Sequence, residues 1–170
     1  MKIEQEFEEE WIFSRAEFNK DKTKRYNLIR EWDSKKKRAA VILLNPSKAN
    51  HLKSDNTVNN CMNTIIDLKV YGSVEIVNLF PIMKTKSNGL LKKDKEFDEV
   101  NFSYIQQAVK KADLIILGWG SNKKHVPDER IIKLLEDKKN LYCFGFKDYE
   151  NKIAHPRVIL EKMKLVKYSF

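Results

Sequence analysis

Cysteine, glycine and proline are all scarce in this sequence, and each scarcity removes a class of protein. Two cysteines in 170 residues cannot build a disulfide scaffold. Neither sits in a CxxC pair or a Cys/His cluster, so no structural zinc site or other metal centre is expected. Cys61 falls on the apolar side of a helical pattern and Cys143 inside an apolar strand, where both read as packing residues of a reducing compartment. Five glycines and four prolines leave little room for long linkers. No run approaches the roughly 18 apolar residues of a membrane helix. The first ten residues, Met1 to Glu10, are acidic and lack the apolar centre of a secretory signal, which makes the cytoplasm the expected address. No cofactor is implied by any motif.

What is present is the balance of a globular protein, 42% hydrophobic and 34% charged. The length suits one domain with a real core, and residues 1–170 are read as that domain, without repeat or internal boundary. The charge is lopsided: 33 Lys and Arg against 24 Asp and Glu give a net +9. Such a field attracts polyanions, so nucleic acid (DNA ahead of RNA) or a nucleotide is the expected partner. The positive residues cluster at Lys35-Lys36-Lys37-Arg38, at Lys84 and Lys86, at Lys92-Lys93 and at Lys123-Lys124.

Four apolar runs, Ala39–Leu44, Val74–Leu79, Leu114–Leu117 and Leu141–Phe146, are continuous rather than alternating, as strands covered on both faces should be. Helical spacing separates them. Val58, Cys61, Met62, Ile65 and Ile66 follow the first run, with Asp55 or Asn56 able to cap. Phe97, Val100, Tyr104, Ile105 and Ala108 follow the second, opened by Asp94 or Asp98. Ile131, Leu134 and Leu135 follow the third, after Pro127 and Asp128, and Pro156 is placed to open a last helix. Alternation of this kind predicts a three-layer α/β sandwich around a central, mostly parallel four-stranded sheet, built through right-handed crossovers. Trp11–Phe13 and Arg25–Trp32 read as an N-terminal antiparallel extension, the second able to pair with Ala39–Leu44 through the turn Asp33–Arg38.

Ligands of open parallel sheets bind beyond the carboxyl ends of the strands. Here those ends read Leu44-Asn45-Pro46-Ser47, Val77-Asn78-Leu79-Phe80-Pro81, Gly118-Trp119-Gly120-Ser121-Asn122 and, after a loop, Ala154-His155-Pro156-Arg157. Singly, each has an ordinary structural explanation: Asn45 as a turn opener, Asn78 as a hydrogen-bonded strand end, His155 as a cap, Trp119 as core. Their recurrence at every strand end points to a site. Of the other histidines, His51 lies just after the first motif and His125 is expected to be exposed.

The ordered series LLNPSKA, DNT with Cys61 downstream, VNLFP, Asn101, LGWG and AHPR resembles the bacterial and phage family catalogued as domain of unknown function 1643. More distantly, NPS at the first strand end, Asn at the second and HP after the fourth is similar to the uracil-DNA glycosylase superfamily. That resemblance implies a four-stranded parallel sheet and roles for three residues: Asn45 positions the attacking water, Asn78 reads the base edge and His155 stabilises the departing base. It makes Pro46, Ser47 and Thr57 neighbours of the substrate and Phe80 or Trp119 the stacking aromatic. Lys48, Lys84, Lys86 and Arg157 become nucleic-acid contacts. Leu43 and Ser47 stand where the superfamily has glycine, and Arg157 where it has serine. Asp55 is left with three roles: binding the Asn45 loop, acting as a base, or capping the helix.

The chemistry suits these residue types. A side-chain amide offers donors and an acceptor to the mixed edge of a base, and a histidine can hydrogen-bond to the oxyanion that develops as the base departs. The leading expectation is a DNA glycosylase-like enzyme acting on a normal, damaged or modified base. A nucleotide- or nucleoside-processing enzyme and a non-catalytic nucleic-acid-binding module on the same fold are the alternatives. A metal-dependent nuclease is disfavoured, since no carboxylates gather at the strand ends.

Overall fold

The computed structural model describes residues 10–84, 89–146, 152–157, 159 and 163–170. Their chain order is β1 (Phe13–Phe18), β2 (Arg25–Glu31), β3 (Lys37–Leu43), α1 (Asn56–Asp67), β4 (Tyr71–Asn78), α2 (Glu99–Lys111), β5 (Leu114–Leu117), α3 (Glu129–Leu135), β6 (Leu141–Phe146) and β7 (Met163–Lys167), with a short 3₁₀ turn at Lys92–Lys95 before α2. Among the described residues these strands form one mixed sheet in the order β1-β2-β4-β3-β5-β6-β7.

The sheet is larger than the four strands with an N-terminal antiparallel extension that were expected, since β7 adds a further strand. The β4-β3-β5-β6 portion is parallel throughout. An antiparallel pair, β1 and β2, extends one edge and antiparallel β7 closes the other. Side chains alternate across the sheet, so each strand feeds two cores. Ala40, Ile42, Ile115 and Leu117 pack with Ile105 and Val109 of α2 and Ile131 and Leu135 of α3. Ala39, Val41, Leu114 and Ile116 pack on the other face with Val58, Cys61 and Ile65 of α1. Each fully buried aliphatic side chain contributes roughly 2 kcal/mol relative to exposure, which explains why the two-faced runs were legible as strands. The helix starts follow from aspartates in extended conformation: Asp55 accepts from the Val58 amide, Asp98 from Asn101 and Asp128 from Arg130. Both cysteines are free and buried.

Two expectations are corrected. The segment Arg25–Glu31 does not pair with β3. It lies beside β4, and β4 separates the two, because both edges of β3 are taken by parallel partners. The loop after β2 must therefore cross the start of β4. It does so over Gly72, whose carbonyl accepts from the amides of Trp32 (2.8 Å) and Asp33 (3.0 Å). A Cβ at Gly72 would stand 1.8 Å from the Asp33 carbonyl oxygen. At the other end, Pro156 and Arg157 form a turn and the chain continues into β7, where a last helix was expected. Lysines at 164 and 167 interrupt the apolar pattern of this edge strand and hide it from a periodicity reading. No helix among the described residues is long and apolar enough to cross a membrane.

Candidate functional site

The chain leaves β3 toward the face covered by α1 and leaves β5 toward the face covered by α3. Neighbouring parallel strands whose connections part in this way open a crevice at their carboxyl ends. A cavity of about 740 Å³ occupies it, walled by the ends of β3 and β5, the first turn of α1 and residues 153–157. Asn45, Ser47, Asp55, Thr57, Lys84, Trp119, His155 and Arg157 all reach it. Five separate stretches of sequence are thus gathered on one rim.

Close packing at Gly118 brings the strand ends together. A Cβ there would meet Leu43 Cδ2 at 2.8 Å, and Phe144 Cδ2 and Pro156 Cδ at 3.1 Å. Gly120, at φ +88°, turns the chain in a left-handed conformation against His155. The His-Pro turn is tied to α1, since Asn60 Nδ2 donates to the Pro156 carbonyl (2.8 Å) and the Arg157 carbonyl (3.2 Å).

His155 is chemically defined by this turn. The Arg157 amide donates to its Nδ1 at 3.1 Å, so Nδ1 is an acceptor and the neutral ring carries its proton on Nε2. Burial, reinforced by the Arg157 charge and opposed by Asp55, pushes its pKa below the usual histidine range. A neutral Nε2–H donor therefore faces the site near pH 7.

The first motif is clamped rather than free. Asn45 Nδ2 donates to the Lys84 carbonyl at 2.7 Å and to the Pro46 carbonyl at 3.3 Å, while the Lys84 amide donates to the Pro46 carbonyl at 3.1 Å. Both amide protons of Asn45 are spent on the backbone, and its Oδ1 accepts nothing among the described residues. Asp55 fills two of its three expected roles, capping α1 and binding the Asn45 loop: one carboxylate oxygen accepts from the Val58 amide at 2.9 Å and the other from Ser47 Oγ. It thereby fastens the NPS loop to the start of α1. The Lys84 ammonium is bonded to Asp94 (2.6 Å) and to the Gly89 carbonyl (2.8 Å), which holds the Asp94 carboxyl below its usual range.

Other expected residues lie elsewhere. Asn78 is fully buried, has no partner for either side-chain polar atom among the described residues, and does not line the cavity. Its carbonyl and that of Leu79 accept from Asn101 Nδ2 at 2.9 and 3.2 Å, so Asn101 locks the end of β4. Phe80 is buried and lines a smaller cavity of about 140 Å³ beside Asn101. Pro46 is buried behind the Asn45 turn, Lys48 is exposed away from the cavity, and Lys86 lies outside the described residues. The Lys35–Arg38 cluster stands at the amino end of β3, opposite the site. His51 is exposed and off the cavity wall, whereas His125, expected to be exposed, is buried on that wall. Its pKa is lowered by burial and by Lys95 and Lys124.

Sequence reasoning gave no site role to Arg25, Asn56, Asn60 or Asn122. Arg25 is 1% exposed and reaches the cavity from the start of β2. Burial pushes its guanidinium down to about 10, with Asp55 opposing the shift and Arg30 reinforcing it, so it is charged at neutral pH. Its sequence neighbours Lys22 and Lys24 disguised it as one more solvated cation. The signal was that Arg25, Asn27 and Arg30 occupy buried positions of a strand that carries Leu28. Among the described residues, no three His, Cys, Asp or Glu side chains are grouped to hold a metal ion.

No curated protein sequence and no solved structure gives a significant match to this chain. The model of one family, described as protein of unknown function (DUF1643), matches residues 25–157, which contain every motif on the rim. The chain belongs to that family.

Proposed function

We propose that the cavity holds a nucleobase-bearing ligand and that the chain hydrolyses its N-glycosidic bond. The observation that carries this reading is His155: a half-buried, neutral imidazole on the cavity wall, with Nδ1 occupied by the Arg157 amide and Nε2–H left as a donor. In the reaction, water attacks C1′ and the C1′–N bond breaks with its electron pair moving onto the base. The Nε2–H of His155 donates to the carbonyl oxygen on which that charge collects, at low cost in reorganisation because the ring is already oriented. The water's proton is passed to the base or to solvent. Asn45 Oδ1 is the free acceptor on the β3 side and orients the water; its Nδ2, bonded to Lys84 and Pro46, holds it in place. Trp119 supplies an aromatic wall. The Asn122 Nδ2 offers a donor to a base edge, the task that the resemblance assigned to Asn78, while its Oδ1 accepts from the Lys124 amide at 3.0 Å.

Base release from oligonucleotides and from 5′-nucleotides carrying uracil, hypoxanthine, xanthine or modified cytosine tests the reading. Wild type should free the base from at least one of them. His155→Ala and Asn45→Ala should each lose about 100-fold or more in kcat, the scale of removing one preorganised donor or orienting group. No release from any substrate, or equal release by all three proteins, overturns it.

A second reading, action on free nucleotides rather than on nucleic acid, is favoured by the placement of charge. Lys84 is paired with Asp94 and the Lys35–Arg38 cluster lies at the far end of the sheet, so neither adds free charge at the cavity, which is lined by Arg25, Arg157 and Asp55.

A further inference from the structure

We infer that one part of the cavity is a subsite for a phosphate oxyanion, formed by the guanidinium of Arg25 and the first-turn amides of α1 at Asn56 and Thr57. Naming a nucleotide's phosphate as its natural occupant rests on the function proposed above; the anion subsite itself rests on the following geometry.

Arg25 is almost wholly buried, yet no carboxylate lies within ion-pair distance of it among the described residues. Its Nη1 donates to the Ala49 carbonyl at 2.7 Å, a neutral partner, and its Nε is buried without any partner. A buried cation is costly unless an anion or a full set of hydrogen bonds compensates it. Among the described residues, the cavity that it lines offers room for an anion beside it.

The same cavity is lined by Asn56, Thr57 and Val58 at the start of the twelve-residue helix α1. Of these, the Val58 amide is satisfied by Asp55 Oδ1. The amides of Asn56 and Thr57 donate to nothing among the described residues, and the first turn contains no acidic residue. A helix start presents unpaired N–H groups and a positive dipole end, which suit an oxyanion. Asp55 does not compete for those two amides, because its carboxylate oxygens are already engaged by Val58 and Ser47. Guanidinium and amides together offer directed donors from two elements, the pattern that a tetrahedral phosphate accepts.

Substitution by proline isolates the amide contribution. Asn56 is exposed and is the first helical residue, where proline fits without loss of an intrahelical bond. Asp55, at φ −140° and ψ 173°, already has the extended conformation required before proline. Asn56→Pro therefore deletes one donor and leaves the helix intact.

Binding would be measured by calorimetry at fixed ionic strength, using inorganic phosphate, uridine 5′-monophosphate, uridine and a short oligothymidylate against wild type, Asn56→Pro and Arg25→Gln, with circular dichroism confirming folding. Inorganic phosphate should bind wild type and compete with uridine 5′-monophosphate. Uridine should bind more weakly than its monophosphate, and each variant should weaken phosphate binding about tenfold or more, as expected for one lost charge-assisted hydrogen bond. Should Arg25→Gln fail to fold, Asn56→Pro alone decides. A monophosphate preferred over the oligothymidylate identifies a free nucleotide as the source; the reverse identifies a strand's phosphodiester. Phosphate that binds no better than chloride, or binds equally to wild type and Asn56→Pro, overturns the subsite. Phosphate binding without base release would leave the subsite standing and remove the hydrolase.

Discussion

Replacing Gly72 by alanine should damage the fold out of proportion to the one methyl group added. The new Cβ would stand 1.8 Å from the Asp33 carbonyl oxygen, 2.8 Å from its carbon and 2.9 Å from Lys36 Cβ. Two of these atoms are backbone, so no rotamer change relieves the clash, and the loop between β2 and β3 must withdraw by more than an ångström. Overpacking of this kind costs about 1–3 kcal/mol. Withdrawal also breaks the bonds from the Trp32 and Asp33 amides to the Gly72 carbonyl, at about 1 kcal/mol each. The expected loss is about 3–5 kcal/mol. For a domain of this length that corresponds to a fall in Tm of roughly 6–20 °C. Urea unfolding followed by circular dichroism measures it, with Gly89→Ala as control. At Gly89 the nearest atom to an added Cβ is Lys84 Cδ at 3.9 Å, and the change should stay within about 0.5 kcal/mol. A Gly72→Ala loss below about 1 kcal/mol with an unchanged m-value would refute the crossing of the β2–β3 loop over β4.

Two further outcomes are expected. Burial is the first cause holding both His125 and His155 below the ordinary histidine pKa; the unfolded chain therefore takes up more protons as pH falls below about 6.5, and stability present above that value declines. Urea midpoints at pH 7.5 and 5.5 should differ more for wild type than for the His125→Gln/His155→Gln double variant, and equal differences would remove the assignment. Asn101→Leu leaves the Asn78 and Leu79 carbonyls without their side-chain donor in a buried site; a loss of about 2–3 kcal/mol is expected in equilibrium unfolding, and a change under about 0.5 kcal/mol would show that Asn101 does not lock β4.

Much of the site was legible because strand ends carry their own punctuation. Asn45, Trp119, His155 and Arg157 each follow an apolar run and sit beside proline or glycine, and the rule for open parallel sheets brings such positions to one rim. Asn78 shows where the rule stops. It ends a parallel strand as the others do, but β4 lies outside the β3–β5 crevice, and its side chain is sealed off from the cavity. Arg25 fails in the opposite sense: it begins an antiparallel strand far from any motif, yet the sheet order brings it to the cavity.

The amino-acid sequence alone determined the α/β class, the four two-faced apolar strands and the three helices between them, and narrowed each helix opening to a pair of candidates that included the aspartate observed. All of these depend on side-chain periodicity and capping within a few turns of chain. Tertiary structure alone decided that β4 separates β2 from β3, that the segment after Pro156 returns as β7, and that Arg25 lines the same cavity as the start of α1. Those outcomes depend on which strand edges remain free once the parallel core has formed, a competition between distant segments that leaves no trace in local pattern.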